Sequence, residues 1–465
     1  MQLLFKKEVL IITCLFTCLC LPSIATAQDN NPYSLRILIK RAEKYLPSIQ
    51  AKQDLTNAAV ANLQYTKHAA LPFVKFNTQA TLGSANSLRG TYFSMGVVPS
   101  TSSSINPIQD YQPALGDLAT LYTEYDIYNF GLNKARNENA TEAVNLSKAD
   151  YNKNVYQLKI GVAKLYFDLL SALNLQKINN QNLKRYQTID TIIRSLANAG
   201  VKPEADYFLA NAELAKAKIE VNQIDGQVEQ AKQVLSSFTG ISADSLTINN
   251  QRIDSNSLQQ NLLTDSIGQS NPILDYDKAN NNYLFANKKL IKKSYLPKFT
   301  LMGSAWGRAS SLNVNQEYTP LNTGLGFQRF NYAVGLAFTY DFMDGLHRKD
   351  KLAQSAFEIQ AAEESYKQQE IDLRSAVLQA NQQIKVVIKN LKQLSIQNKS
   401  ALEVFNDKQA QYKAGLVTLI DLTNAGFVLY RSQIDYLNAI DDWYTANLNK
   451  ALATGNLDKF IQSIN

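Results

Sequence analysis

With 465 residues, 45% of them hydrophobic and 19% charged, the chain holds enough apolar material for one large or two ordinary domains and is not disordered as a whole. Lys and Arg outnumber Asp and Glu by 47 to 40, a mild net +7 without the basic runs that follow a phosphate backbone, which argues against nucleic acid as a partner. The only two histidines, His68 and His347, stand far apart in the sequence, so no His-based metal site or triad is expected, and no converging acid, base or nucleophile suggests an enzyme or a cofactor.

In chain order, residues 1–27 read as a signal peptide. Lys6 and Lys7 precede an apolar run from Val9 to Leu21, and Ala25-Thr26-Ala27 supplies the small-x-small cleavage pattern. All three cysteines, Cys14, Cys18 and Cys20, fall in this segment, so the mature chain is expected to lack disulfides and thiol chemistry. Beyond Leu21 no apolar stretch approaches the roughly 18 residues of a transmembrane helix, and contact with a bilayer would have to be made by strands.

The remainder repeats itself. Pro47 and Leu71-Pro72 match Pro272 and Leu296-Pro297 at an offset of 225 residues. From Tyr125-Asp126 and Tyr340-Asp341 onward the offset is 215, and it also relates Gly200 to Gly415, Asp206 to Asp421 and Gly240 to Gly455. A loop of unequal length inside a duplicated unit explains the change. The expected organisation is a first structural repeat over 28–240, a polar linker over 241–257, a second repeat over 258–455 and a C-terminal tail over 456–465.

Each repeat opens with a helix, about 48–68 and 273–294, leading into strands after the Leu-Pro pairs. In the first, Val74, Phe76, Ala80 and Leu82 alternate with Lys75, Asn77, Gln79 and Thr81, and a second strand presents Ala119, Leu121, Thr123, Tyr125 and Ile127. In the second repeat Phe299 and Leu301 begin a strand, and residues 330–342 alternate throughout. Phe330, Tyr332, Val334, Leu336, Phe338, Tyr340 and Phe342 fall on one face, with small or polar residues on the other. That pattern suits a lipid-facing barrel wall, although an alternating strand also suits the half-buried sheet of a soluble sandwich. Basic clusters just past the strands, Lys134 with Arg136 and Arg348 with Lys349 and Lys351, could snorkel at a membrane interface.

After each strand pair, 69 residues pass without a proline, from Gly131 to Gly200 and from Leu346 to Gly415, on the order of 100 Å if helical. Leu373, Val377, Ala380, Ile384, Val387, Leu391 and Leu394 step by four and three as in a coiled-coil seam. Returning helices follow the tip glycines Gly200 and Gly415 and close at Gly240 and Gly455. Four strands with an apolar face cannot sit in lipid with open edges, so closure needs other copies: two chains give eight strands and a filled interior, three give twelve and an open lumen.

The strand end Tyr340-Asp341-Phe342-Met343-Asp344-Gly345 and the stretch Tyr412-Lys413-Ala414-Gly415-Leu416-Val417-Thr418-Leu419-Ile420-Asp421, each in its place in a duplicated chain, resemble the TolC family of outer-membrane efflux and secretion channels. The resemblance implies a mixed fold, an all-α periplasmic tunnel continuous with a transmembrane β-barrel, four strands per chain closed as a 12-stranded homotrimer. It implies the outer membrane of a Gram-negative bacterium, with outer-membrane lipid, a periplasmic adaptor protein and an inner-membrane pump as partners. The function it implies is a passive exit duct for drug efflux, metal efflux or type I secretion. It places Asp206, Tyr412, Asp421 and Asn424 at a periplasmic constriction and Gly200 and Gly415 at tips that meet the adaptor. Asn424 stands where a second acidic residue is expected and Val417 where an arginine helps lock the tip. Read from the residues alone, Asp421 and Thr418 equally suit a helix cap, and a coiled-coil scaffold or adhesin remains the alternative to a conduit.

Overall fold

Proline and the apolar period set the first elements of the computed structural model, which describes residues 32–86, 108–249 and 271–464. The expected signal peptide, most of the first strand-connecting loop and part of the linker lie outside the described residues. Helix α1, Leu35–Tyr45, buries Leu35, Leu38, Ile39 and Ala42, one face at i, i+3, i+4 and i+7. It stops because Pro47 forces Leu46 into extended backbone (φ −76°, ψ 120°), and Pro47 then opens α2, Pro47–His68. The sequence reading places a single helix here and misses α1.

Strands β1 (Phe73–Gly83) and β2 (Ala114–Tyr128) lead into α3, Leu132–Asn198, and α4, Glu204–Thr239, returns along it. The second half repeats this with α5 (Pro272–Ser294), β3 (Lys298–Ser310), β4 (Arg329–Thr339), α6 (Asp344–Lys413) and α7 (Leu419–Thr454). The four strands form one antiparallel sheet in the order β1-β2-β3-β4. Strand β4 ends at Thr339, so Tyr340 lies one residue beyond the ladder instead of within the strand as the alternation suggests. The physical reason is local: the Asp341 carboxylate accepts the Met343 N–H at 3.0 Å, turning the chain toward α6.

The long helices, 67 and 70 residues, extend about 100 and 105 Å. The expected seam is real, since Leu373, Val377, Ala380, Ile384, Val387 and Leu391 of α6 are all buried. Near the strands α3 packs against α2 and α5, and farther away it packs against α4, while α6 packs against α5 and then α7. Short helices therefore lie along each long one.

Among the described residues two large cores and a small cluster of Leu373, Val377 and Ala453 hold the bundle. At mid-height Leu35 and Leu38 of α1, Leu169 of α3, Leu235 of α4 and Trp443 and Tyr444 of α7 join Ile241, Leu246 and Ile248 from the segment after α4. Residues 457–464, read as tail, form helix α8, whose Leu457, Phe460 and Ile461 seal this core. A second core, at the far end, draws on α3, α4, α6 and α7 together.

Candidate functional site: barrel wall and helix tips

In an antiparallel ladder, paired residues share a face. The register aligns Phe76, Leu121, Ala305 and Tyr332 in one row and Tyr125, Leu301 and Leu336 in another. The four apolar rows thus merge into one continuous surface. Tyr332, Val334 and Leu336 are 83%, 75% and 72% exposed, and Phe338 and Tyr340 are also exposed. No α-helix packs over this face among the described residues, and only the short helical turn Leu321–Leu325 lies against the outer ends of β2 and β3, whereas a soluble sandwich would cover the whole face with a second layer. A patch of this extent marks a surface meant for something other than water. The opposite face carries Lys75, Asn77, Gln79, Thr120, Ser304 and Asn331, with Asp126 held by Lys298 at 3.4 Å and by the Thr300 hydroxyl at 2.8 Å. Mostly large apolar side chains outside and mostly polar ones inside, with Leu118 and Trp306 among the inward exceptions, is the arrangement of a membrane barrel.

At the far end each hairpin turns on a left-handed glycine, Gly200 at φ 72° and Gly415 at φ 74°, a region that a Cβ makes costly. The Val201 N–H donates back to the Leu196 carbonyl and the Leu416 N–H to the Gln411 carbonyl, both at 2.9 Å, capping the long helices. The two turns are not independent. Ile189, Ile193, Ala210 and Leu214 of the first half and Phe405, Tyr412, Leu419 and Leu422 of the second share the tip core, and Val417 packs against it.

The predicted constriction residues sit around this core in different states. Tyr412 is buried, its hydroxyl has no hydrogen-bond partner among the described residues, and the Lys202 ammonium lies 5.2 Å from its ring centre. Burial pushes the Tyr412 hydroxyl above its ordinary range, and the Asp206 charge raises it further. Asp206, half-buried in the first turn of α4, is thus near Tyr412 without a hydrogen bond to it. Asp421 is engaged otherwise: its carboxylate accepts the Thr418 hydroxyl at 2.6 Å and the Thr418 N–H at 3.0 Å, while the Thr418 hydroxyl oxygen accepts the Asp421 N–H at 3.2 Å. This capping box holds the carboxyl below its usual range. Asn424 is exposed one turn on.

Three cations at the tips escaped the sequence reading. Besides Lys202, Arg185 donates to Gln433 at 3.1 Å and lies over Phe405, and Arg194 pairs with Asp190 at 3.0 Å. Only the i, i+4 spacing of Asp190 and Arg194 was visible in advance.

Among the described residues no group of three or more His, Cys, Asp or Glu could hold a metal, and no helix is long and apolar enough to cross a membrane. The fold recurs in solved structures. The outer membrane protein VceC of Vibrio cholerae is 17% identical with a TM-score of 0.72, over 90% of this chain and 96% of that one. The CmeC outer membrane channel of Campylobacter jejuni is 14% identical with a TM-score of 0.74, over 94% of this chain and 90% of that one. The MtrE outer membrane channel of Neisseria gonorrhoeae is 18% identical with a TM-score of 0.65, over 91% of this chain and 89% of that one. No curated protein matches the sequence. Nothing in these likenesses supports a non-channel scaffold or adhesin. Residues 38–241 and 263–456 match the outer membrane efflux protein family, one span for each half of the duplication. On that match, and with an apolar strand face suited to lipid, the chain belongs to the outer membrane efflux protein family and is an outer-membrane channel.

Proposed function

We propose that three copies close their sheets edge to edge into a 12-stranded barrel in the outer membrane, continued by a periplasmic tube of helices. The observation that carries this is the four-stranded sheet, with a bare apolar face and free edges at β1 and β4. Backbone groups on such edges cannot stay unpaired in hydrocarbon. Twelve strands leave a lumen, and the small inward residues Ala333, Gly335 and Ala337 suit one. The tube is the passive exit duct of a tripartite efflux or secretion system. An inner-membrane pump supplies the energy, and a periplasmic adaptor engages the tip turns at Gly200 and Gly415.

The tips form the gate. In a trimer Asp206 and Asp421 bring up to six carboxylates around the axis, a ring that favours cations. The buried Tyr412 hydroxyl, without a hydrogen-bond partner among the described residues, stands close enough to Asp206 to feel its charge and to close a contact with it. The test is single-channel recording of the mature protein in planar bilayers, with a multivalent cation such as hexaamminecobalt added on the tip side. Asp421→Ala is expected to weaken block severalfold, whereas Thr418→Ala, which removes the same cap but keeps the charge, is not. Tyr412→Phe is expected to raise the open probability. If Asp421→Ala and Tyr412→Phe both behave as the native channel, these residues are cap and packing alone and the constriction lies elsewhere. If the native protein does not conduct, the channel reading itself fails.

A further inference from the structure

Strand register brings together two residues that the sequence holds 21 positions apart. Arg308 of β3 and Arg329 of β4 are direct partners in the ladder. Counting along each strand from the Leu301–Leu336 pair puts both on the face opposite the apolar rows. They stand at the end of the sheet remote from the helices, and both are exposed. Like charges placed directly across a ladder repel, and neither guanidinium has an ion pair or side-chain hydrogen bond among the described residues.

Among the described residues the surroundings offer no unengaged counter-charge on this face. On the same face the adjoining positions are Gln79 and Leu118, then Asn77, Thr120, Trp306 and Asn331. The next charge toward the helices is Lys75, which aligns with Tyr122 and Ser304 and is also positive. The acidic residues of this face, Glu124 and Asp126, align with Met302 and Thr300, six and eight positions along β3 from Arg308, or about 20 and 26 Å. That is beyond the roughly 8 Å screening length of physiological salt. Both are also engaged, Asp126 by Lys298 and Thr300 and Glu124 by the Tyr122 hydroxyl. Asp117 lies on the other face, paired with Ala80 and Ala309, and in the loops Glu317 accepts from Asn313 and Asp110 from Gln112.

We propose that the outer end of the lumen is a basic, aromatic collar that binds organic anions: Arg308 and Arg329 take carboxylate, sulfonate or phosphate groups, and Trp306, one row inward, stacks the aromatic body. The proposal rests on the barrel reading above. With three chains, six guanidiniums and three indoles ring the exit. Guanidiniums bind such oxyanions in a bidentate fork, and an unpaired facing pair is set up for it. The ligand class that follows for this end of the lumen is an aromatic or amphiphilic organic anion, a preference separate from that of the acidic tips.

The probe is 1,3,6,8-pyrenetetrasulfonate, added on the barrel side of the mature channel in a planar bilayer, with inorganic tripolyphosphate as the non-aromatic comparison. Native channels are expected to be blocked by both, and more weakly at high salt. Arg308→Gln with Arg329→Gln should lose roughly tenfold or more in block affinity for both anions. Trp306→Leu should lose affinity for the pyrene anion while keeping that for tripolyphosphate, and Arg308→Lys with Arg329→Lys should retain part of both. A conducting native channel that neither anion blocks from this side, or a double Gln variant blocked as well as the native one, overturns the collar and leaves the channel reading standing. A native protein that does not conduct overturns both.

Discussion

Replacing Leu336 with arginine is expected to prevent assembly in the outer membrane. Leu336 is 72% exposed near the middle of β4, shares its face with Leu301 and Tyr125, and has no described element packed over it. A cation there costs about 2–4 kcal/mol per chain at the bilayer midplane, and the cost falls on every copy of an oligomer. Ala337→Ser, one residue along and on the opposite face, should be tolerated, because a small hydroxyl facing water costs little. The check is the amount of oligomer extracted from outer membranes by detergent for each variant. Loss with Ala337→Ser and tolerance of Leu336→Arg would mean that the two faces have been assigned the wrong way round.

The second large effect is expected at Phe405. This side chain is 4% exposed in α6, lies against Gly426 of α7, and carries the Arg185 guanidinium of α3 over its ring at 5.8 Å. It therefore joins the two halves at the tip. Phe405→Ala removes a ring from a packed core shared by four helices, at a cost of about 3–5 kcal/mol. Because that core is what couples the two hairpins, the variant should melt at lower temperature and conduct with a higher open probability. A lower melting temperature with unchanged gating would show that tip packing supports the fold without holding the constriction shut.

Much of this architecture could be read from residue order because its signals are long. The seam of α6 runs through Leu373, Val377, Ala380, Ile384, Val387 and Leu391, and a period sustained that far admits one reading. The alternation of β4 was equally plain, and only its end was misplaced, because the turn made by Asp341 competes with the pattern locally. Short elements were lost. Helix α1 has a single buried stripe before Pro47, and α8 spans eight residues, too few for a period to stand out. At the tips the capping box of Thr418 and Asp421 was visible because it is local. The approach of Lys202 to Tyr412 was not, because it needs two residues 210 positions apart, in different turns, to meet at one core. The facing of Arg308 and Arg329 was hidden for the same reason: strand register belongs to the ladder and not to either strand.

The most direct test of the central claim, that one chain supplies a third of a closed barrel, is the protein mass of the mature complex in detergent. Four strands per chain and an open lumen require more than two copies, and the proposed trimer supplies twelve strands. The 51.9 kDa chain becomes about 49 kDa once 27 residues are removed. Light scattering coupled to size exclusion, with the detergent contribution subtracted, should return about three times that mass for the species that conducts. A conducting monomer or dimer would contradict the account, because four or eight strands cannot enclose this pore.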